Sequence, residues 1–107
     1  MFVVTSDVQE GSSREDFIEW YETVHIPDVT STPGVTRADL YESIEGDNPS
    51  YLCAYEIEGD DLAEVMKGLR SNTKVLMSQG RISESFKLHM ARPFVWRYAS
   101  SRSQQGG

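Results

Sequence analysis

The chain contains four short segments in which apolar, aromatic and β-branched residues alternate with polar ones or follow each other directly. This pattern predicts β-strands over residues 2–8, 35–43, 51–57 and 94–98. In the third segment the period of two places Tyr51, Cys53 and Tyr55 on one face of the strand. The polar loop before it predicts that the second and third strands form an antiparallel hairpin.

The first strand is followed by apolar residues at helical spacing. This stripe consists of Phe17, Trp20 or Tyr21, and Val24. Ser12 and Ser13 precede it at capping-box spacing from acidic residues. Because a proline disfavours helical geometry in the residue before it, Pro27 predicts that the helix ends near His25. Residues 26–33 are then expected to form an irregular connection.

A second amphipathic helix is predicted from Asp60-Asp61 to a stop at Gly80. Its apolar stripe consists of Leu62, Val65, Met66, Leu69 and Leu76. Residues 81–91 carry no single pattern and fit either a loop or a short helix that holds Ile82 and Phe86.

The elements follow the order strand, helix, strand, strand, helix, strand. With right-handed crossovers, this order gives an α+β domain of the ferredoxin-like βαββαβ type, a four-stranded antiparallel sheet with two helices on one face. We expect Tyr51, Tyr55 and Trp96 on the uncovered face, and an uncovered apolar sheet face is typical of an interface. Residues 1–99 are therefore expected to form one domain that pairs with a second copy as a dimeric α+β barrel, and residues 100–107 a disordered polar tail.

The composition agrees with one modest globular domain. The 107 residues are 38% hydrophobic and 25% charged. No apolar run approaches the ~18–20 residues that span a bilayer, and the first residues do not resemble a signal peptide, so we expect a cytoplasmic protein with no membrane partner. The single cysteine, Cys53, excludes an internal disulfide framework and a multi-cysteine metal site.

Charge is divided unevenly along the chain. Residues 1–64 carry 16 Asp or Glu against two Arg, a net of −14, whereas residues 65–107 carry one Glu against eight Lys or Arg, a net of +7. The total of −7 argues against nucleic acid as the partner, because phosphate binding depends on clustered cations. We interpret the two halves as attracting each other within a monomer or across a dimer.

The segment Trp20–Asp28, with the sequence WYETVHIPD, is followed by Pro33-Gly34-Val35. This part resembles the EthD-like branch of the dimeric α+β barrel superfamily, whose members carry a Trp-Tyr…His-(Ile)-Pro-Asp segment at the end of the first helix and Pro-Gly-Val before the second strand. The resemblance in element order covers most of the chain. Relatives include proteins of ether degradation and decarboxylases or dehydratases of aromatic polyketide pathways.

His25 is the residue whose chemistry stands out. Imidazole titrates near neutrality, so it accepts or gives a proton without extreme tuning. His25 lies at the predicted helix end, where the dipole favours the protonated ring and where Asp28 could orient it. The resemblance adds weight to a general acid/base role. The alternative is a structural histidine that caps the helix.

Asp28 also has two interpretations, a residue that holds the tautomer of His25 or a solvated turn residue. We expect no metal, because His25 and Asp28 are too few ligands and His89 lies at no metal-ligand spacing. The chain has no glycine-rich phosphate loop and no dinucleotide fingerprint, so no cofactor is expected.

Aromatic residues could form the substrate pocket. Trp20, Tyr55 and Trp96 could bind a flat aromatic molecule by stacking, and the hydroxyl of Tyr51 or Tyr55 could stabilise an enolate or phenolate oxygen. The alternative is packing at a dimer interface. Arg37 could bind a substrate carboxylate, or it could form a surface ion pair.

Taken with the resemblance, these residues predict a small cofactor-independent enzyme with His25 as its general acid/base. The resemblance implies a lyase-type step (decarboxylation, dehydration or an aldol-like cyclisation) on an aromatic or polyketide-like molecule. Two alternatives remain, a non-catalytic binding module for a hydrophobic small molecule and a cofactor-free oxygenase of the same superfamily.

Overall fold

A computed structural model describes residues 1–43, 45–46 and 49–95. Trp96 and the predicted tail at 100–107 lie outside the described residues. The elements are β1 (Phe2–Val8), α1 (Arg14–Trp20), a π-helical turn (Tyr21–His25), α2 (Ile26–Thr30), β2 (Val35–Glu42), β3 (Ser50–Ile57), α3 (Leu62–Ser78) and β4 (Phe86–Pro93).

The four strands form one antiparallel sheet in the order β2-β3-β1-β4. In the central pair Val4 lies opposite Cys53, and across β4 it lies opposite Ala91. The helices cover one sheet face, so the predicted ferredoxin-like α+β fold is confirmed. No helix in the described part of the chain is long and apolar enough to cross a membrane.

The core lies between the sheet and the helices. Phe17 and Tyr21 from the first helical run and Met66 and Leu69 of α3 belong to one buried cluster on the sheet. The core side of the sheet carries Val4, Tyr51, Cys53 and Tyr55. The prediction that Tyr51 and Tyr55 lie on the uncovered face is therefore wrong. Their face of β3 holds the larger side chains, and these fill the space between the sheet and the helices.

The first helical run continues beyond the residue where a stop was predicted. The backbone N–H of Ile26 donates to the carbonyl of Tyr21, which closes a π turn, and α2 then extends to Thr30. Pro27 therefore falls in the first turn of α2, where its missing N–H and its ring are tolerated. The prediction of a helix end near His25 is wrong for this reason.

The fourth strand lies earlier than predicted. It covers Phe86–Pro93, within the segment interpreted as a loop or short helix, and residues 94–95 lie beyond its end. As an edge strand it pairs only with β1 and is mostly exposed, so it carries polar residues such as Lys87 and Arg92. Its backbone hydrogen bonds, rather than an apolar pattern, hold it in the sheet.

The face of the sheet turned away from the helices, here called the open face, is mixed in character. Cross-strand rows place Tyr41 beside Leu52 and Thr5, and Asp39 beside Ala54 and Val3. Tyr41 is 58% exposed and Leu52 36% exposed. The apolar surface of this face is thus smaller than predicted from Tyr51 and Tyr55.

Candidate active site around His25

The π turn determines how His25 lies relative to Trp20. His25 follows Tyr21 by four residues, so it lies on the buried face of the helical run, whereas Val24 is only half-buried. In a regular α-helix Trp20 and His25 would point in directions 140° apart, and the wider turn reduces this angle. π turns of this kind are frequent at functional sites. The irregular turn therefore brings the buried imidazole against the ring of Trp20.

Three aromatic rings surround this imidazole. Trp20 stacks on it with ring centroids 4.7 Å apart and planes inclined by 20°. Tyr21 meets it edge-on at 5.1 Å, and Phe86 lies 5.7 Å away. Phe86 comes from β4, so the site joins the first helical run to the edge of the sheet. These neighbours make an apolar environment that leaves His25 9% exposed.

Burial controls the protonation of His25. Removal of the ring from water disfavours its charged form and lowers its pKa to about 4, against a smaller opposing effect of the Asp28 carboxylate. The imidazole is therefore neutral at pH 7 and can act as a base. Its Nδ1 atom is buried and has no hydrogen-bond partner among the described residues.

Asp28 does not hydrogen-bond to that nitrogen. Its carboxylate forms a bidentate ion pair with Arg81, with 2.6 Å from Nε to Oδ2 and 3.1 Å from Nη2 to Oδ1. The indole N–H of Trp20 donates to the backbone carbonyl of Arg81 at 3.0 Å. Arg81 thus ties Asp28 and Trp20 together at the rim of the site. Arg81 was not predicted as a site residue, because residues 81–91 carry no single sequence pattern.

A group of buried hydroxyls lies deeper in the same layer. The hydroxyl oxygens of Ser6, Tyr21 and Tyr55 are buried and have no hydrogen-bond partner within the described residues. The two phenols and the Cys53 thiol lie close enough to influence one another, and burial is the main cause that raises the pKa of each phenol. Both phenols therefore stay protonated at neutral pH and can donate. Sequence spacing assigned Tyr21 only to the core.

Tyr51 lies elsewhere in the core. Its ring packs on Phe17 with centroids 4.9 Å apart, and its hydroxyl donates to Glu42 Oε2 at 2.7 Å. Glu42 also accepts two hydrogen bonds from Arg14. Burial and the bond to Glu42 raise the pKa of Tyr51 to about 12. This hydroxyl is committed to a salt-bridge network rather than free to meet a substrate.

The remaining predicted site residues are also separate from His25. Arg37 is exposed on the open face, where it pairs with Asp39 at 3.1 Å, which matches the surface ion pair considered from the sequence. Trp96 lies outside the described part of the chain. Within that part, no group of three or more His, Cys, Asp or Glu side chains is placed to hold a metal ion.

Comparisons with known proteins address the fold. No protein-family model and no curated protein matches the chain. The crystal structure of an ethyl tert-butyl ether (EthD) family protein from Bacillus halodurans C-125 is similar to it, with a TM-score of 0.53 over 88% of this chain and 97% of that one, at 17% sequence identity. The EthD-like resemblance is thus confirmed at the level of the fold, and the chain has the ferredoxin-like α+β fold of an EthD family protein.

Proposed function

We propose that the protein is a cofactor-independent enzyme in which His25 moves a proton on a small apolar substrate. The observation that carries this proposal is a neutral, buried imidazole whose Nδ1 has no partner, packed among Trp20, Tyr21 and Phe86. A structural histidine of the kind considered from the sequence would donate to or accept from the backbone. A neutral imidazole in an apolar site is instead suited to remove a proton from carbon or oxygen.

The buried hydroxyls support the second half of such a reaction. Proton removal next to a carbonyl creates an enolate, and preorganised donors in a water-poor site stabilise the new negative charge. Tyr21 is in ring contact with His25, and its hydroxyl lies near that of Tyr55. We assign the oxyanion role to these two phenols in preference to Tyr51, whose hydroxyl is bound to Glu42.

We propose that the reaction is of the lyase type: a decarboxylation, a dehydration or an aldol-like cyclisation. Each of these reactions needs only a base, a hydrogen-bond donor to oxygen and exclusion of water. The rings of Trp20, Tyr21 and Phe86 around His25 favour an aromatic or polyketide-like substrate. Asp28 acts on His25 through its charge, and it holds Arg81 at the rim.

In a cofactor-free oxygenase the same base would form a carbanion that reacts with dioxygen, so turnover would stop without air, whereas a lyase continues.

The test is proton abstraction from 5-nitrobenzisoxazole, an aromatic probe that opens to a coloured phenolate when a base removes its C–H proton. The wild-type protein should open it faster than His25→Gln by about two orders of magnitude, while Arg37→Gln on the open face matches wild type. A binding module would bind the probe in all three proteins and open it in none. Equal rates for wild type and His25→Gln would contradict the proposed base.

We also propose that a second copy of the chain covers the open face. The exposed Tyr41 and Leu52 lie in one cross-strand row there, beside the small Ala54. Such a surface on a sheet without helical cover is suited to pack against its own copy about a twofold axis. This pairing would form the dimeric α+β barrel predicted from the sequence.

A further inference from the structure

We propose that a groove between α3 and β4 binds a small amphipathic carboxylate, a molecule with an anionic head and an apolar body. The groove has a volume of about 410 Å³, which falls in the range of small-ligand pockets. It is lined by apolar residues of both elements and by two cations of α3, Arg70 and Lys74. This site is separate from that of the proposed function and binds a different chemical group.

The groove lies on the helix-covered side of the sheet. Across the ladder between β1 and β4, Phe2 lies opposite Pro93 and Val4 lies opposite Ala91. Val4 belongs to the core, and residues that are directly opposite or two apart share a face, so all four face the helices. Ala91 and Pro93 are nevertheless exposed, so the helices leave this part of the edge strand uncovered. The proposed second copy covers the other face of the sheet and leaves this groove accessible.

The floor of the groove reaches the hydrophobic core. Met66 and Leu69 line it and are 6% and 3% exposed. Phe2 also lines it and packs beside the ring of Tyr55, with centroids 6.3 Å apart. An apolar body that lies on these side chains and against Ala91 would lose its contact with water, which is favourable in proportion to the apolar area removed. The floor therefore supplies affinity for the body of the ligand.

Two cations at the mouth of the groove select the head group. Arg70 and Lys74 are exposed and lie four residues apart on α3, so their side chains extend from the same face of the helix. Neither forms an ion pair with a carboxylate among the described residues, whereas Arg14, Arg37 and Arg81 each do. A guanidinium and an ammonium group side by side are suited to bind the two oxygens of one carboxylate.

The elements that form the groove are basic as a whole. α3 carries three Lys or Arg against one Glu, and β4 carries Lys87 and Arg92 and no carboxylate. The local field is therefore positive although the chain has a total charge of −7. This field attracts an anion to the groove, and a neutral ligand would leave both of its cations unused.

The groove and His25 lie at opposite ends of β1. The groove includes Phe2, the first residue of β1, whereas Phe86, which lies beside His25, is opposite Val8, its last residue. The length of β1 separates the two sites by about 20 Å. Failure of one proposal therefore does not imply failure of the other.

The experiment compares 2-naphthoate with 2-naphthamide, its uncharged analogue of the same shape, at pH 7. Binding to the full chain is followed by backbone amide signals in NMR titrations. We expect the carboxylate to bind about fivefold more tightly than the amide, because only the carboxylate is attracted to the two cations. Its binding should shift the signals of Thr73 and Ala91 and leave that of His25 in place. The preference should shrink in about 0.5 M salt, which screens exposed charges.

Charge variants test the head-group contact. The double variant Arg70→Gln with Lys74→Gln should bind both probes with equal affinity. Lys67→Gln is the matched control, because Lys67 is exposed one turn earlier on α3 and does not line the groove. It should keep the wild-type preference, and so should His25→Gln.

A volume variant tests the apolar contact. Ala91→Phe fills the groove with a ring, so it should weaken the binding of both probes by about fivefold or more. The proposal is overturned if wild type binds both probes with the same affinity, or binds neither because the groove is filled by another part of the chain or by a second copy. It is also overturned if the double variant keeps the preference or if Ala91→Phe binds both probes as tightly as wild type.

Discussion

The rings of Trp20 and His25, five positions apart in the chain, lie face to face at 4.7 Å. In an α-helix residues five apart point in directions 140° apart, so they would not stack. The π turn between them reduces this angle, and the hydrogen bond from Trp20 to the carbonyl of Arg81 holds the indole in place. Because of this stack, the fluorescence of Trp20 depends on whether His25 is protonated.

This coupling gives a direct readout of the His25 pKa. A protonated imidazole quenches a stacked indole, so the emission of Trp20 should fall as the pH is lowered, with a midpoint near the pKa of about 4. The measurement needs Trp96→Phe, which leaves Trp20 as the single tryptophan. Adding His25→Gln should abolish the transition. A midpoint near 6.5 would contradict the buried, neutral imidazole.

The lowered pKa of His25 also makes stability depend on pH. Between pH 6.5 and pH 4 the unfolded chain binds a proton at His25 that the folded chain does not, so the free energy of unfolding rises with pH in this window. The contribution is fully present above pH 6.5 and is lost as pH falls to about 4. It amounts to about 3 kcal/mol at most.

Urea denaturation at several pH values measures this effect. The His25→Gln variant titrates nothing at this position, so its stability should change less over the same window than that of wild type. The difference between the two proteins isolates His25 from the many carboxylates that titrate at the lower end. Parallel curves would mean that His25 has the same pKa in the folded and unfolded chains.

Asp28 is predicted to act on His25 at a distance. Its negative charge raises the pKa of the imidazole against the larger effect of burial. Asp28→Asn should therefore lower the pKa of His25 further and move the quenching midpoint of Trp20 to lower pH. Asp39→Asn, on the open face, is the matched control. An unchanged midpoint in Asp28→Asn would show that Arg81 fully screens the charge of Asp28.

The sequence predicted the elements whose side chains follow a regular period. β1, β3 and α3 bury apolar residues at steps of two or of three and four, and their observed bounds agree with the predictions within about two residues. The fourth strand was misplaced because β4 is an exposed edge strand whose polar residues show no such period. Residues 94–98 had the stronger apolar alternation, but residues 94–95 lie outside the strand.

The candidate site was only partly predictable for a similar reason. His25 was identified from its chemistry, but its stacking on Trp20 follows from the π turn, whose extra residue leaves no trace in a 3.6-residue pattern. The partner of Asp28 could not be found either. Arg81 lies 53 positions away, and only the folded chain brings the two side chains together.

Gly34 is predicted to tolerate no side chain. Its φ of +91° is strained for other residues, and a Cβ would lie 2.6 Å from Cγ2 of Val65 and 3.2 Å from the carbonyl oxygen of Glu58. Gly34→Ala should lower the free energy of unfolding by about 2–4 kcal/mol, the sum of backbone strain and overpacking. Thermal or urea unfolding measures it.

Gly11 is the matched control for Gly34. Its φ of +83° is similar, but a Cβ there would meet nothing within 4 Å, so Gly11→Ala should show the backbone strain alone. Adding Val65→Ala to Gly34→Ala removes the blocking methyl groups and should recover part of the loss. Equal effects at Gly11 and Gly34 would mean that the close approach to Val65 contributes nothing.

The proposed pairing of two open faces predicts a change of mass on a single substitution. Ala54 lies between Val3 and Asp39 on the open face, so an arginine there would place a charge and a long side chain in the middle of the contact. Wild type should have twice the chain mass of 12.1 kDa by light scattering, and Ala54→Arg should have the mass of one chain. Ser71→Arg, exposed on α3, should leave the mass doubled. A single-chain mass for wild type would contradict the pairing. A doubled mass for Ala54→Arg would place the contact elsewhere, because an unpaired charge buried between two sheets is too costly to accommodate.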